Sequence, residues 1–192
     1  MSLRRSSVHA SLVACVLAGC GGASPCPAPI VAAQEAAVRP EPSRLPPRLE
    51  APEGFVPMAA LGVFPGPEGN MLLLGDGSRE RVIPILIGDA EAMVIDLRVR
   101  GEHFERPLTH DIIDTLVAEL RGEILMVEVN KVREGIFVGT ISLWNGREVV
   151  RIDARTSDAV AVALGHELPI YVSASVIDES AVDVDALVPG GI

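Results

Sequence analysis

Cysteine is scarce in this chain and badly distributed for structure. Three occur in 192 residues, Cys15, Cys20 and Cys26, and none lies beyond position 26. That excludes a disulfide framework, a thiol nucleophile and cysteine-ligated zinc from everything downstream. Histidine is nearly as sparse, with only His103, His110 and His166 beyond the first 20 residues. Lys131 is the sole lysine. Positive charge is short overall: residues 58–192 hold 11 Lys plus Arg against 22 Asp plus Glu, a difference of 11 - 22 = -11. Such a field repels a phosphate backbone, so a nucleic-acid role requires a local basic or metal-loaded site. A phosphate-binding glycine loop with lysine, a dinucleotide fingerprint, a nucleophile elbow and an HExxH pair are all missing.

The first 20 residues carry Arg4 and Arg5, then the apolar stretch Leu12-Val13-Ala14-Cys15-Val16-Leu17, too short for a membrane span. They end in Leu17-Ala18-Gly19-Cys20, which resembles a bacterial lipobox. The expectation is a signal peptide over 1–19, with Cys20 as the lipidated mature N-terminus. Palmitate-type acyl chains would then fix an exported protein to the cell envelope. Gly21, in place of Asp, suits the outer membrane where a cell has one. Nine of the fifteen prolines fall in residues 21–57, without helical or strand periodicity. Residues 20–57 therefore read as the lipidated cysteine and a tether reaching up to roughly 100 Å from the bilayer. Residues 58–192 read as the folded domain.

Within that domain, Met58 to Phe64, Met71 to Leu74 and Arg81 to Ile87 are short apolar runs separated by turn residues, predicting three strands. Ala90, Met93, Val94 and Leu97 follow at helical spacing, with Asp89 as N-cap and Gly101 as the stop. In the next segment Leu108, Ile112, Leu116 and Leu120, flanked by Ile113 and Val117, predict a helix with one broad apolar face. Three further strands are expected over 124–132, 136–144 and 148–154. The last two are joined by an Asn145-Gly146 hairpin turn, which favours positive φ at both positions. Ser157 to His166 reads as a buried helix and Pro169 to Val172 as a final strand. The order β-β-β-α-α-β-β-β-α-β groups strands with strands, which predicts an α+β fold with a mixed or antiparallel sheet and packed helices.

Two polar clusters precede apolar helices: Arg106-Pro107-Leu108-Thr109-His110-Asp111 and Asp153-Ala154-Arg155-Thr156-Ser157-Asp158. Capping and the helix dipole alone favour Thr109, Ser157 and Asp158 at helix starts. The same positions also suit phosphate, since a helix N-terminus presents free N–H groups and Arg106 and Arg155 add forked donors. His110 and Asp114 are four apart and Asp111 and Asp114 three apart, so a helix puts them on a shared face. Such a group can hold a divalent cation or use His110 as general acid or base. Glu91 either serves the first helix's dipole or extends a carboxylate set with Asp153 and Asp158, while Asp153 also has a simpler partner in Arg155. His103 and His166 have no partner spacing.

Three blocks in order, Ile83-Pro84-Ile85-Leu86-Ile87-Gly88 with Glu91-Ala92, Arg106 to Asp111, and Asp153 to Ala159 with Pro169-Ile170-Tyr171-Val172, resemble the bifunctional nuclease domain. The resemblance spans about residues 58–180. It implies an α+β domain assigned DNase and RNase activity in some members. Thr156 stands where the family usually has proline, and Gly165 replaces a common basic residue. The expected activity is a metal-assisted nuclease, with the roles read from the residues' own chemistry and spacing at the matching positions. The expected catalytic residues are His110, Asp111 and Asp158. Arg106, Arg155, Ser157 and Thr109 bind the substrate, and Asp111, Asp153, Asp158 and Glu91 hold Mg or Mn. The rival expectation is a non-catalytic envelope module that binds a protein partner or a second copy of itself through the same fold.

Overall fold

The computed structural model describes residues 46–187 apart from Arg79. The expected lipobox, Cys26 and most of the expected tether lie outside the described residues. Eight strands form one sheet: β1 (Phe55–Gly66), β2 (Gly69–Gly75), β3 (Arg81–Ile87), β4 (Glu123–Arg133), β5 (Ile136–Trp144), β6 (Val149–Arg155), β7 (Ile170–Ser173) and β8 (Val182–Asp183). Their spatial order is β6-β5-β4-β7-β1-β2-β3-β8, with β4 and β7 parallel and every other neighbour antiparallel. The fold is thus α+β with a mostly antiparallel sheet.

The first strand starts at Phe55, so Phe55, Val56 and Pro57, expected in the tether, pair with Ser173, Val172 and Tyr171. Pro57 is tolerated because pairing of β1 with β2 begins only at Ala59, leaving that edge without a ladder to interrupt. The β5–β6 connection also differs from a two-residue hairpin. It is a four-residue loop in which the Asn145 side-chain oxygen accepts from the N–H groups of Arg147 and Glu148, at 2.9 and 3.0 Å. Only Gly146 there has positive φ, +88°, because the asparagine closes the turn through its side chain.

Helices α1 (Asp89–Arg100), α2 (Thr109–Glu119) and α3 (Thr156–Gly165) connect the strands, and α4 (Ala174–Ser180) and the one-turn α5 (Val184–Leu187) follow β7 and β8. The expected order lacked these last elements, whose sequence is too short and polar to show a period. Gly101 ends α1 in the left-handed conformation, while Gly88, and not Asp89, is its N-cap. The core joins Leu72, Leu74 and Ile83 of the sheet to Ile95 of α1 and Ala159–Ala163 of α3, all at or near zero exposure. Each fully buried branched side chain contributes about 1.5–3 kcal/mol.

The second helix departs from a simple amphipathic reading. Val117 and the preceding Leu108 pack on the core, but Ile112, Leu116 and Leu120 are exposed, Leu120 by 76%. The residue α2 buries is His110.

Candidate functional site

Between α2 and the β5–β6 end of the sheet lies a groove of about 770 Å³. Its floor is apolar, with Ile124, Ile141, Leu143, Ile152 and Val162 among the lining residues. Its polar side combines His110 and Thr109 from α2, Glu91 from α1, Asp153 and Arg155 from β6, and Asp158 from α3. β6 runs straight into α3 with no intervening loop, since Arg155 is the extended N-cap residue of a helix that starts at Thr156. That junction sets Arg155 and Asp158 three residues apart on one helical turn. The Arg155 guanidinium donates to both Asp158 oxygens, at 2.7 and 3.0 Å, and also to Glu91. His110 Nε2 lies 3.1 Å from Asp158 Oδ1 across 48 residues of sequence.

The electrostatics follow from this arrangement. Burial pushes the Asp158 carboxyl up, but Arg155 and then His110 outweigh it and hold Asp158 below the usual carboxylate range. With Asp158 ionised, His110 Nε2 carries the proton toward it, and the buried Nδ1 has no hydrogen-bond partner. Glu91 is lowered first by its own backbone N–H at the helix start and next by Arg155. Arg155 is raised by Asp158 and Glu91 and stays fully charged.

Not every sequence candidate reaches the groove. Asp111 turns the other way: it accepts from the Leu108 N–H at 2.8 Å and from Arg98 Nη2 at 2.8 Å. Its carboxyl is lowered first by that backbone N–H and, against burial, by Arg98. This is half of a capping box, completed on the Asp111 side only, because Leu108 at the N-cap has no acceptor. Thr109 and Ser157 are not caps, as the N-cap residues are Leu108 and Arg155. Thr109 lines the groove; Ser157 is buried and does not, and Arg106 is exposed outside the lining. Asp153 lines the groove, but its expected partner Arg155 is engaged by Asp158 and Glu91 instead. Among the described residues, no three His, Cys, Asp or Glu side chains converge to hold a metal ion. Glu91 and Asp158 are bridged by a guanidinium, and Asp111 belongs to a different cluster.

That second cluster was not legible from spacing. Arg98 of α1 donates to Asp111, to Asp114 at 2.7 Å and to the Ala161 carbonyl at 2.6 Å, and His166 Nε2 approaches Asp114 at 3.2 Å. Asp111 and Asp114 do share a helix face, yet the cation between them is an arginine from another helix. Gly165 makes room for it, since a Cβ there would stand 2.2 Å from Arg98 Nη1.

A family model of the bifunctional nuclease domain matches residues 72–185, more than half of the chain. The chain belongs to the bifunctional nuclease domain family. Two uncharacterized proteins of Mycobacterium tuberculosis, one from each of two strains, are 36% identical over 110 residues, 57% of this chain and 65% of each relative. The matched region thus spans a little under two thirds of those relatives. A rice protein, Bifunctional nuclease 2, is 25% identical over 108 residues, 55% of this chain and 33% of that one. The family match takes in both arginine clusters and every residue lining the groove, while β1 lies upstream of it. Membership supports nuclease-like function in general terms.

Proposed function

We propose that the groove binds a nucleic-acid backbone and hydrolyses its phosphodiester, with Arg155 as phosphate ligand, Asp158 as proton acceptor and His110 as the residue that orients Asp158. The observation that carries this reading is the convergence of His110 and Arg155 on the single Asp158 carboxylate inside an open groove. Arg155 is the accessible partner, with 66% of its side chain exposed. A phosphate competes with Glu91 and Asp158 for its fork. When Arg155 turns to phosphate, Asp158 loses the strongest influence holding it down, burial then dominates, and the carboxylate becomes a better base for the attacking water. His110 keeps Asp158 Oδ1 fixed, and Oδ2, which accepts from Arg155 Nε, is released when that guanidinium turns away.

A resident Mg or Mn ion does not fit the residues as arranged, because the guanidinium occupies the space between the two carboxylates. The test incubates the full-length chain with single-stranded DNA and RNA in Mg²⁺, Mn²⁺ or EDTA, alongside Asp158→Asn and His110→Ala checked for native circular dichroism. Cleavage that persists in EDTA and falls about 100-fold in Asp158→Asn agrees with the reading. Cleavage only with a cation means that the ion displaces Arg155. A well-folded parent without turnover ends the catalytic reading.

That last outcome favours the second reading, a non-catalytic binding module, which the apolar groove floor and the -11 charge of residues 58–192 support. Under either reading, the lipobox at Cys20 supports export and lipid anchoring to the envelope, at the outer membrane where one exists. Among the described residues no helix is long and apolar enough to cross a membrane. In the same preparations Cys20→Ser should move the protein from the membrane fraction to the soluble one; unchanged partition would refute the anchor.

A further inference from the structure

Positive charge is unevenly spread over the domain. Residues 121–155 hold six Lys plus Arg against five Asp plus Glu, whereas the rest of residues 58–192 holds five against seventeen. The stretch from β4 to β6 therefore repels a phosphate backbone least. β6 closes the sheet on this side, and its outer edge pairs with no strand among the described residues. Three arginines mark that border at four-residue intervals: Arg147 in the β5–β6 loop, Arg151 within the strand, and Arg155 at its end, in the groove. All three are exposed, Arg151 by 56% of its side chain. Residues four apart on a strand project from the same face, and at about 3.3 Å per residue Arg151 and Arg155 are roughly 13 Å apart.

Arg151 is held from one side only. It stands opposite Ser142 of β5, and its Nη2 lies 2.8 Å from Oε2 of Glu128 on β4, a carboxylate 3% exposed. The other guanidinium nitrogens have no partner among the described residues. An arginine fixed from below by a buried carboxylate and open above is pre-ordered to receive an anion on its remaining donors. Arg147 is placed by its backbone, whose N–H donates to Asn145 Oδ1 at 2.9 Å.

We propose that Arg147, Arg151 and Arg155 form a track along β6 for the backbone of a single-stranded nucleic acid, so that the groove acts on a phosphodiester within a strand that continues past Arg151. This rests on the nucleic-acid reading of the groove and adds where the strand runs. A line of charges one strand wide meets one backbone, whereas a duplex presents two. Between Arg151 and Arg155 the spacing corresponds to about four phosphates of a stacked strand at 3.4 Å each, and to fewer when the strand is stretched. Asp153 is exposed between these two arginines and opposes a phosphate there, so it weakens the track and limits how long the strand is held.

The test uses the full chain with a fluorescently labelled dinucleotide and dodecanucleotide, each as single-stranded DNA and RNA. In the parent, kcat/KM for the dodecanucleotide should exceed that for the dinucleotide at least ten-fold. Arg151→Ala should remove most of that advantage and Arg147→Ala a smaller part. Binding of the dodecanucleotide, followed by anisotropy over a salt series, gives a slope of log K against log salt, which each lost phosphate contact should make shallower by about 0.7. Arg151→Lys keeps the charge and should retain the slope, while Asp153→Asn should tighten binding at least three-fold. Because Arg151→Ala leaves the buried Glu128 carboxylate without its cation, it is also made together with Glu128→Gln and compared with Glu128→Gln alone; that pair decides the matter should Arg151→Ala fail to fold. A parent that cleaves both lengths equally well, or a salt slope that survives the loss of Arg151, overturns the track and leaves the groove reading standing. Binding that responds to Arg151 as expected but leads to no cleavage upholds the track and overturns the hydrolysis. A parent that binds no dodecanucleotide even at about 20 mM salt overturns both.

Discussion

Two arginines in this domain each bridge a pair of carboxylates, with a histidine on one of the two, and they differ chiefly in access to water. Arg98 joins Asp111 and Asp114, with His166 on Asp114, and its side chain is 7% exposed. Arg155 joins Glu91 and Asp158, with His110 on Asp158, and its side chain is 66% exposed. The exposed arginine can exchange its carboxylates for a ligand, whereas the sealed one also holds the Ala161 carbonyl of α3 and ties three helices together. Similar motif chemistry thus yields a structural pin in one place and a candidate site in the other, and burial decides which.

The sharpest way to break that contrast is Arg98→Ala. Removing a buried cation leaves Asp111, Asp114 and the Ala161 carbonyl short of a partner. The loss should be about 2–4 kcal/mol, toward the low side for a broken buried pair because both carboxylates can still hydrate. Denaturant unfolding measures it. A loss under about 1 kcal/mol would mean that the sealed cluster is not a pin.

Arg155→Ala is the complementary variant, and its expected effect on stability is smaller. An exposed pair contributes about 0–1 kcal/mol, so the unfolding midpoint should barely move. On the proposed function, cleavage should fall about 100-fold, as for other lost phosphate or oxyanion donors, and Arg155→Lys should recover only part of it. If Arg155→Ala unfolds the domain as Arg98→Ala does, the division into pin and site fails.

Much of this architecture was legible in the chain. The three strands before α1, the Gly101 stop and the all-round apolar helix over 157–166 follow from period and punctuation, and the family blocks mark the two helix starts that hold His110 and Asp158. Other features depend on contacts between distant segments. No spacing rule joins Arg98 to Asp111 and Asp114, since the arginine comes from another helix and its room comes from Gly165. Likewise Asp111 sits beside His110 in sequence, but successive helix positions face apart by about 100°. One therefore enters the groove while the other turns to Arg98. The α2 stripe misleads for a related reason. Helical period identifies an apolar face, but not whether the core or a second molecule covers it.

The smallest expected effect is on pH dependence, and it sharpens the same comparison. Asp111, Glu91 and Asp158 are all held below the ordinary carboxylate range of about 4, so the folded state binds protons less readily than the unfolded chain. The sign is therefore fixed: their contribution to stability is complete above the unfolded values, near pH 5 and higher, and is lost as pH falls through the lower folded values. Unfolding midpoints measured from pH 6 down to pH 2.5 should be flat and then fall. Asp111→Asn should make that fall shallower with little response to added salt, because its strongest influence is the fixed Leu108 N–H. The Arg155–Asp158 pair, whose arginine is 66% exposed, is screened by about 0.5 M salt, so Asp158→Asn, which removes a carboxylate lowered first by Arg155, should lose most of its distinction from the parent there. Equal salt sensitivity in the two variants would show that the clusters experience the same solvent, and the distinction between pin and site would then need another basis.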